Sequence, residues 1–201
     1  ITDVPNSRWK ATQCSGVLVA PRLVLTAGHC VCKRRRLPGT QDTVMIDGSA
    51  CATNALVKAV IYDPPSPEAD LSARVRDYRG KVRPHPELKL LLDAQGNVLS
   101  SKADLAVIQL DSAVRAEIPP LPLAEVEVEA HESLVLVSSG PDEALGWVSD
   151  HRHFSRHEVR RAAEAGDERL LFEQPQRKSY KGDSGGPFLR GREQGLALLG
   201  I

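Results

Sequence analysis

Ser184 lies in the segment "KGDSGGPF" (181–188), where three glycines surround a single hydroxyl. Glycine adopts backbone angles that other residues resist and lets another molecule approach the main chain closely. A loop built this way makes a tight turn or binds something. A serine hydroxyl becomes a nucleophile for acyl transfer when a base takes its proton, an acid orients that base, and backbone N–H groups face the developing oxyanion. The chain offers a candidate for each part. His29 closes the apolar segment "LTAGHC", Asp104 opens "DLAVIQL", and the N–H groups of Gly182 and Ser184 are free by type to point into one hole. Taken singly, His29 reads as a structural histidine, Asp104 as a strand-edge carboxylate and the glycine loop as a turn. Their joint occurrence favours a catalytic constellation.

The elements that must position these residues read as strands. "CSGVLVAPRLVLTAGHC" (14–30) has two apolar runs separated by Pro21-Arg22, a strand, a turn and a second strand that delivers His29. Residues 31–42 are basic and broken by Pro38-Gly39, which predicts a surface loop with Arg34, Arg35 and Arg36 at a solvated tip. "NALVKAVIY" (54–62) predicts a strand, "DPPSPEAD" (63–70) excludes regular structure through its three prolines, and "ADLAVIQL" has the composition of a buried strand. "IPPLPLAEVEVEA" (118–130) reads as a connector between two halves, since its prolines forbid a central strand at its start. "SLVLVSSG" (133–140) is a strand ending in a turn. Residues 155–170 read two ways. Ser155 and Glu158 fit a helix capping box, whereas "AGDE" (165–168) fits a hairpin turn, and the prevalence of strands favours the hairpin.

Bulk properties bound the function. The 201 residues suit one large or two small domains, and 41% hydrophobic with 26% charged residues suits a globular protein with a real core. The 26 basic residues balance the 26 acidic ones, which removes any electrostatic case for nucleic acid or an anionic membrane as partner. No apolar run approaches the roughly 18 residues of a membrane span. The chain starts at Ile1 without a leader pattern, which reads as a secretion signal removed or never included. Cys14, Cys30, Cys32 and Cys51 read as two disulfides or as a metal site. Cys30-Val31-Cys32 lacks the two-residue gap of a zinc knuckle and no paired C-x-x-C follows, so disulfides and an oxidising compartment are the favoured reading. His151, His153 and His157 suggest a metal cluster, but neighbouring arginines and the lack of paired carboxylates favour a solvated surface instead.

"TAGHC", "DLAVIQL" and "GDSGGP", in that order, resemble the three signature segments of the trypsin-like (chymotrypsin-fold) serine proteases. The resemblance covers most of the chain and is dense at these landmarks; "VRPHPE" also resembles the segment preceding the family's aspartate. It implies an all-β fold of two packed six-stranded Greek-key β-barrels, 1–117 carrying His29 and Asp104 and 118–201 carrying Ser184, the second barrel truncated at its C-terminus. It implies His29 as general base, Asp104 as its orienting partner, Ser184 as nucleophile, and Gly182 with Ser184 as the oxyanion hole. It pairs Cys14 with Cys30, which leaves Cys32 with Cys51. The implied protein is a secreted or periplasmic endopeptidase acting on protein or peptide substrates, with no metal or organic cofactor and no nucleic-acid or membrane partner. A protease-like binding module, or an inactive zymogen-like domain of a larger protein, is the alternative.

Three departures from the family pattern bear on function. His29 and Asp104 stand 75 residues apart, a long spacing that places insertions in the Cys32–Cys51 loop and the proline-rich stretch, rimming the cleft. The position six before the nucleophile, which often sets specificity in the family, is Lys178, so the pocket is expected not to favour Arg or Lys in the substrate. Both ends look short. The 13 residues before Cys14 are expected to be too few for an Ile1 terminus to pair with Asp183 as the family's activated N-terminus does, and "LLGI" closes soon after "GDSGGPF". The natural polypeptide is therefore expected to extend beyond Ile201 or to be completed by a further chain.

Overall fold

The computed structural model describes residues 14–40, 42–62, 73–125, 127–140, 152–161, 169–172, 182–192 and 195–201. Among these the chain forms strands β1 (Val17–Ala20), β2 (Leu23–Ala27), β3 (Arg35–Arg36), β4 (Val44–Asp47), β5 (Asn54–Tyr62), β6 (Ala73–Pro84), β7 (Lys89–Leu92), β8 (Val98–Lys102), β9 (Leu105–Leu110), β10 (Ser133–Ser138), β11 (His153–Arg161), β12 (Leu171–Phe172), β13 (Phe188–Arg192) and β14 (Gly195–Gly200). Short 3₁₀ turns at Gly28–Cys30 and Gly48–Ala50 interrupt them. The fold is all-β, with the two-barrel architecture that the resemblance implies.

Strands β1–β9 lie in two sheets, of order β1-β2-β9-β6-β5 and β3-β4-β7-β8. In the first, side chains alternate between faces, so Val24, Ala55, Val57, Tyr78, Ile108 and Leu110 gather on one side into a core. Ile108 and Leu110 are fully buried, each contributing roughly 1.5–3 kcal/mol. The second sheet covers another core built from Val31, Ile46, Leu88, Leu90 and Leu92. Its β7–β8 hairpin was not legible in the sequence, because "KLLL" shows no alternation of polar and apolar residues. The turn joining it is held by Asp93, whose carboxylate accepts from the N–H groups of Gln95 and Asn97 at 2.9 and 2.7 Å. The expected loop at 31–42 also contains β3, where Arg35 and Arg36 pair with Met45 and Val44. The Arg35 guanidinium meets the Asp47 carboxylate across that pairing, so the arginine run is partly drawn into the sheet.

Strands β10–β14 form one sheet of order β12-β11-β10-β13-β14. Six successive pairs from Ser133↔Glu158 to Ser138↔His153 join β10 to β11. Strand β11 then pairs antiparallel with β12, which supports the hairpin reading of 155–170; residues 162–168, including all of "AGDE", lie outside the described residues. Among its described residues the proline-rich connector bridges Leu123 to Leu198 of β14, and the Leu121 N–H donates to the Leu18 carbonyl at 2.9 Å. A third apolar cluster joins β1 and β2 to β13 and β14: Val17, Leu189 and Leu198 are buried, with Leu25, Leu121 and Val137 packed against them. This contact brings the segment bearing Ser184 against the hairpin bearing His29.

Candidate active site

Strand register explains how two residues 75 apart in sequence become neighbours. Strands β2 and β9 are antiparallel, with Ala27 opposite Leu105. The residues just past the end of β2 therefore face those just before the start of β9. The Gly28 N–H donates to the Asp104 carbonyl at 3.1 Å, which continues the ladder one step. The 3₁₀ turn then swings His29 back onto the Asp104 side chain. The His29 backbone N–H donates to Asp104 Oδ1 at 2.8 Å, and His29 Nδ1 lies 2.7 Å from Asp104 Oδ2. Both carboxylate oxygens are held by one residue.

This clasp decides the tautomer. An ionised carboxylate only accepts hydrogen bonds, so Nδ1 carries the proton in the neutral ring and Nε2 keeps its lone pair. The two side chains are 26% and 20% exposed, which leaves the ring open to solvent on one side while limiting screening of the pair. Immediately before Asp104, Ala103 sits at φ +46°, a left-handed conformation that alanine disfavours by roughly 1–2 kcal/mol.

Ser184 stands in a turn over 182–185, closed by the Gly186 N–H donating to the Asp183 carbonyl at 2.9 Å. The Ser184 carbonyl accepts from the Ser15 N–H at 2.9 Å and lies 3.7 Å from the sulfur of Cys30, the residue after His29. Gly185, at φ +80°, packs so closely on the first barrel that an added Cβ would lie 2.3 Å from Thr26 Oγ1 and 2.5 Å from the Ser15 carbonyl. Both expected disulfides are formed, Cys14–Cys30 and Cys32–Cys51. Cys14–Cys30 ties the start of the β1 segment to the residue beside His29.

Of the residues singled out in the sequence, His29 and Asp104 are directly hydrogen-bonded, while Gly182 and Ser184 share one turn seated beside Cys30. Lys178 and His151 lie outside the described residues. The expectation of a solvated histidine surface is corrected for His153 and His157. In β11 the odd-numbered side chains face inward and the even-numbered ones outward, so Arg156, Glu158 and Arg160 take the water-facing side. His153 Nε2 lies 2.9 Å from Ser138 Oγ and 3.3 Å from Asp183 Oδ1. His157 is buried, with Nε2 2.6 Å from Ser155 Oγ and its ring against Phe172 and Phe188. Sequence reasoning missed Ser15 and Thr26. Their signal was two hydroxyls in an otherwise apolar hairpin, and Thr26 is fully buried with its hydroxyl on the Ser15 carbonyl at 2.8 Å.

The all-β double barrel has the chymotrypsin-like fold, with Asp104 clasping His29 and the turn bearing Ser184 packed through its carbonyl against Cys30 and Ser15. The family model described as Trypsin matches residues 4–201, and the chain belongs to that family. It is also similar to serine protease SP24D of Anopheles gambiae, 28% identical over 189 residues, an alignment covering 90% of this chain and 59% of that protein. The chain thus spans less than two thirds of that relative's length.

Proposed function

We propose that this chain is the catalytic region of a serine endopeptidase working through an acyl-enzyme. The observation that carries the reading is the two-point clasp of Asp104 on His29, on an element joined through Cys14–Cys30 and Ser15 to the turn bearing Ser184. Family membership and the name of the mosquito relative support it. Ser184 Oγ attacks the carbonyl carbon of a peptide bond while its proton passes to His29 Nε2. Asp104 remains ionised and stabilises the imidazolium that forms. The N–H groups of Gly182 and Ser184 meet the charge developing on the carbonyl oxygen. Collapse of the tetrahedral species breaks the C–N bond, and His29 returns the proton to the leaving amine. Water, deprotonated by the same nitrogen, then attacks the ester, releasing the acid and restoring the hydroxyl.

The proposed substrates are proteins or peptides, bound between a half comprising 1–117 and a half comprising 118–201. Lys178 in the specificity position disfavours Arg or Lys at the cleaved bond, since like charges in a desolvated pocket are costly. Two disulfides fit a secreted or periplasmic protein. A fluorophosphonate probe tests the central claim: Ser184 is labelled in the wild-type chain and Ser184→Ala is not. Absence of labelling in folded wild-type protein refutes the reading. A peptide library cleaved after Arg or Lys refutes the specificity assignment alone.

A further inference from the structure

Ser15 is a buried hydroxyl with no part in the chemistry above, yet it lies where three segments meet. Its Oγ donates to the Gly182 carbonyl at 2.8 Å and accepts from the Ser139 N–H at 3.0 Å. Its own N–H donates to the Ser184 carbonyl at 2.9 Å. A carbonyl only accepts and an amide N–H only donates, so the direction of each hydroxyl bond is settled by chemistry. The hydroxyl proton has one place to go, and the orientation of the group is fully determined.

These bonds act on the peptide planes that frame the oxyanion donors. Within a trans peptide the C=O and N–H point in opposite directions, so anchoring a carbonyl aims the following N–H. Ser15 anchors the carbonyls of residues 182 and 184, and the Gly186 N–H anchors that of 183. The Ser184 N–H belongs to the middle plane, held between two planes that Ser15 fixes. Gly182 needs such an anchor. At φ +116° it occupies a region that glycine enters and leaves with little penalty, so the plane after it can rotate unless something holds its carbonyl. The same serine follows Cys14, whose disulfide partner Cys30 follows His29. One residue therefore references the turn to the segment bearing the base.

We propose that the Ser15 hydroxyl is a positioning group for the oxyanion donors, locking the Gly182–Ser184 turn in register with His29. This rests on the serine-protease reading given above. Removing the hydroxyl leaves the Gly182 carbonyl and the Ser139 N–H without their buried partner and lets the glycine plane turn. The donors then misalign for the charged oxygen while the substrate-binding surface is unchanged.

The test measures fluorophosphonate labelling of Ser184 as a function of probe concentration, separating the limiting rate from the half-saturating concentration, alongside Tm. Ser15→Ala is expected to lower the limiting rate by about 10- to 100-fold, less than outright loss of an oxyanion donor, with half-saturation unchanged. Ser15→Thr, which keeps the hydroxyl, is expected to stay within about threefold of wild type, a rescue that a purely volumetric role does not predict. If wild type labels and a folded Ser15→Ala labels at the same limiting rate, the positioning role is overturned and the protease reading stands. If wild type itself does not label, the protease reading falls and this inference with it. Should Ser15→Ala fail to fold, Ser15→Cys preserves the volume with a weaker donor, and wild-type labelling by that variant overturns the proposal equally.

Discussion

Replacing Asp104 with asparagine separates the charge of the carboxylate from its shape. The backbone N–H of His29 donates to Oδ1, so in the variant the amide oxygen must take that place. The amide NH₂ is then presented to Nδ1 at the position of Oδ2. A donor facing Nδ1 selects the tautomer protonated on Nε2, which cannot accept the serine proton. The imidazolium formed during attack also loses its counter-charge. At roughly 4 Å between charge centres and an effective dielectric near 20, that attraction amounts to about 4 kcal/mol, on the order of a thousandfold in rate. The tautomer preference adds to this, so labelling of Ser184 by a fluorophosphonate is expected to slow about 10³- to 10⁴-fold. Stability should change little, because both hydrogen-bonding positions remain filled. The assay compares Asp104→Asn with wild type and Ser184→Ala at one pH, with Tm as control. A folded Asp104→Asn labelling within tenfold of wild type would refute the assignment of Asp104 as the orienting group.

Further predictions concern the frame around the site. Gly185→Ala pushes a Cβ into Thr26 Oγ1 and the Ser15 carbonyl and strains φ +80°, so urea denaturation should show a loss of about 2–4 kcal/mol. The Glu132 carboxyl is held below its ordinary value of 4.5, first by its hydrogen bonds to Arg190. A depressed folded-state value means stability that is present above the ordinary value and lost as pH falls through the folded one. The denaturation midpoint of wild type should therefore drop on acidification below about pH 4.5 more steeply than that of Glu132→Gln; equal slopes would refute the pairing. Cys32 and Cys51 close a loop of sequence separation 19, for which chain entropy gives about 3 kcal/mol. Their double replacement by alanine should lower Tm by several degrees, and an unchanged Tm would show that the reduced chain is already restrained there.

The three chemical segments were legible in the sequence because each combines a reactive side chain with a local pattern. His29 ends an apolar strand, Asp104 begins one, and Ser184 stands among glycines. The all-β class and most strands were legible for a similar reason, since alternation and proline breaks are local properties of the chain. Hairpin β7–β8 was not, because three consecutive leucines conceal which of them faces inward. The inward orientation of His153 and His157 was hidden likewise, since a one-residue change in register would exchange them with the arginines beside them.

Residue type and order along the chain determined which groups the proposed acyl transfer would draw on and that strands carry them. Only the tertiary structure decided that Ala27 lies opposite Leu105, that the Asp104 carboxylate therefore grips His29 at two points, and that Ser15 reaches across to the Ser184 turn. The physical reason is range. Strand propensity and turn chemistry act over a few neighbouring residues, whereas sheet register and the packing of one barrel on the other are set by apolar side chains far apart in sequence that find each other only when the whole chain is folded.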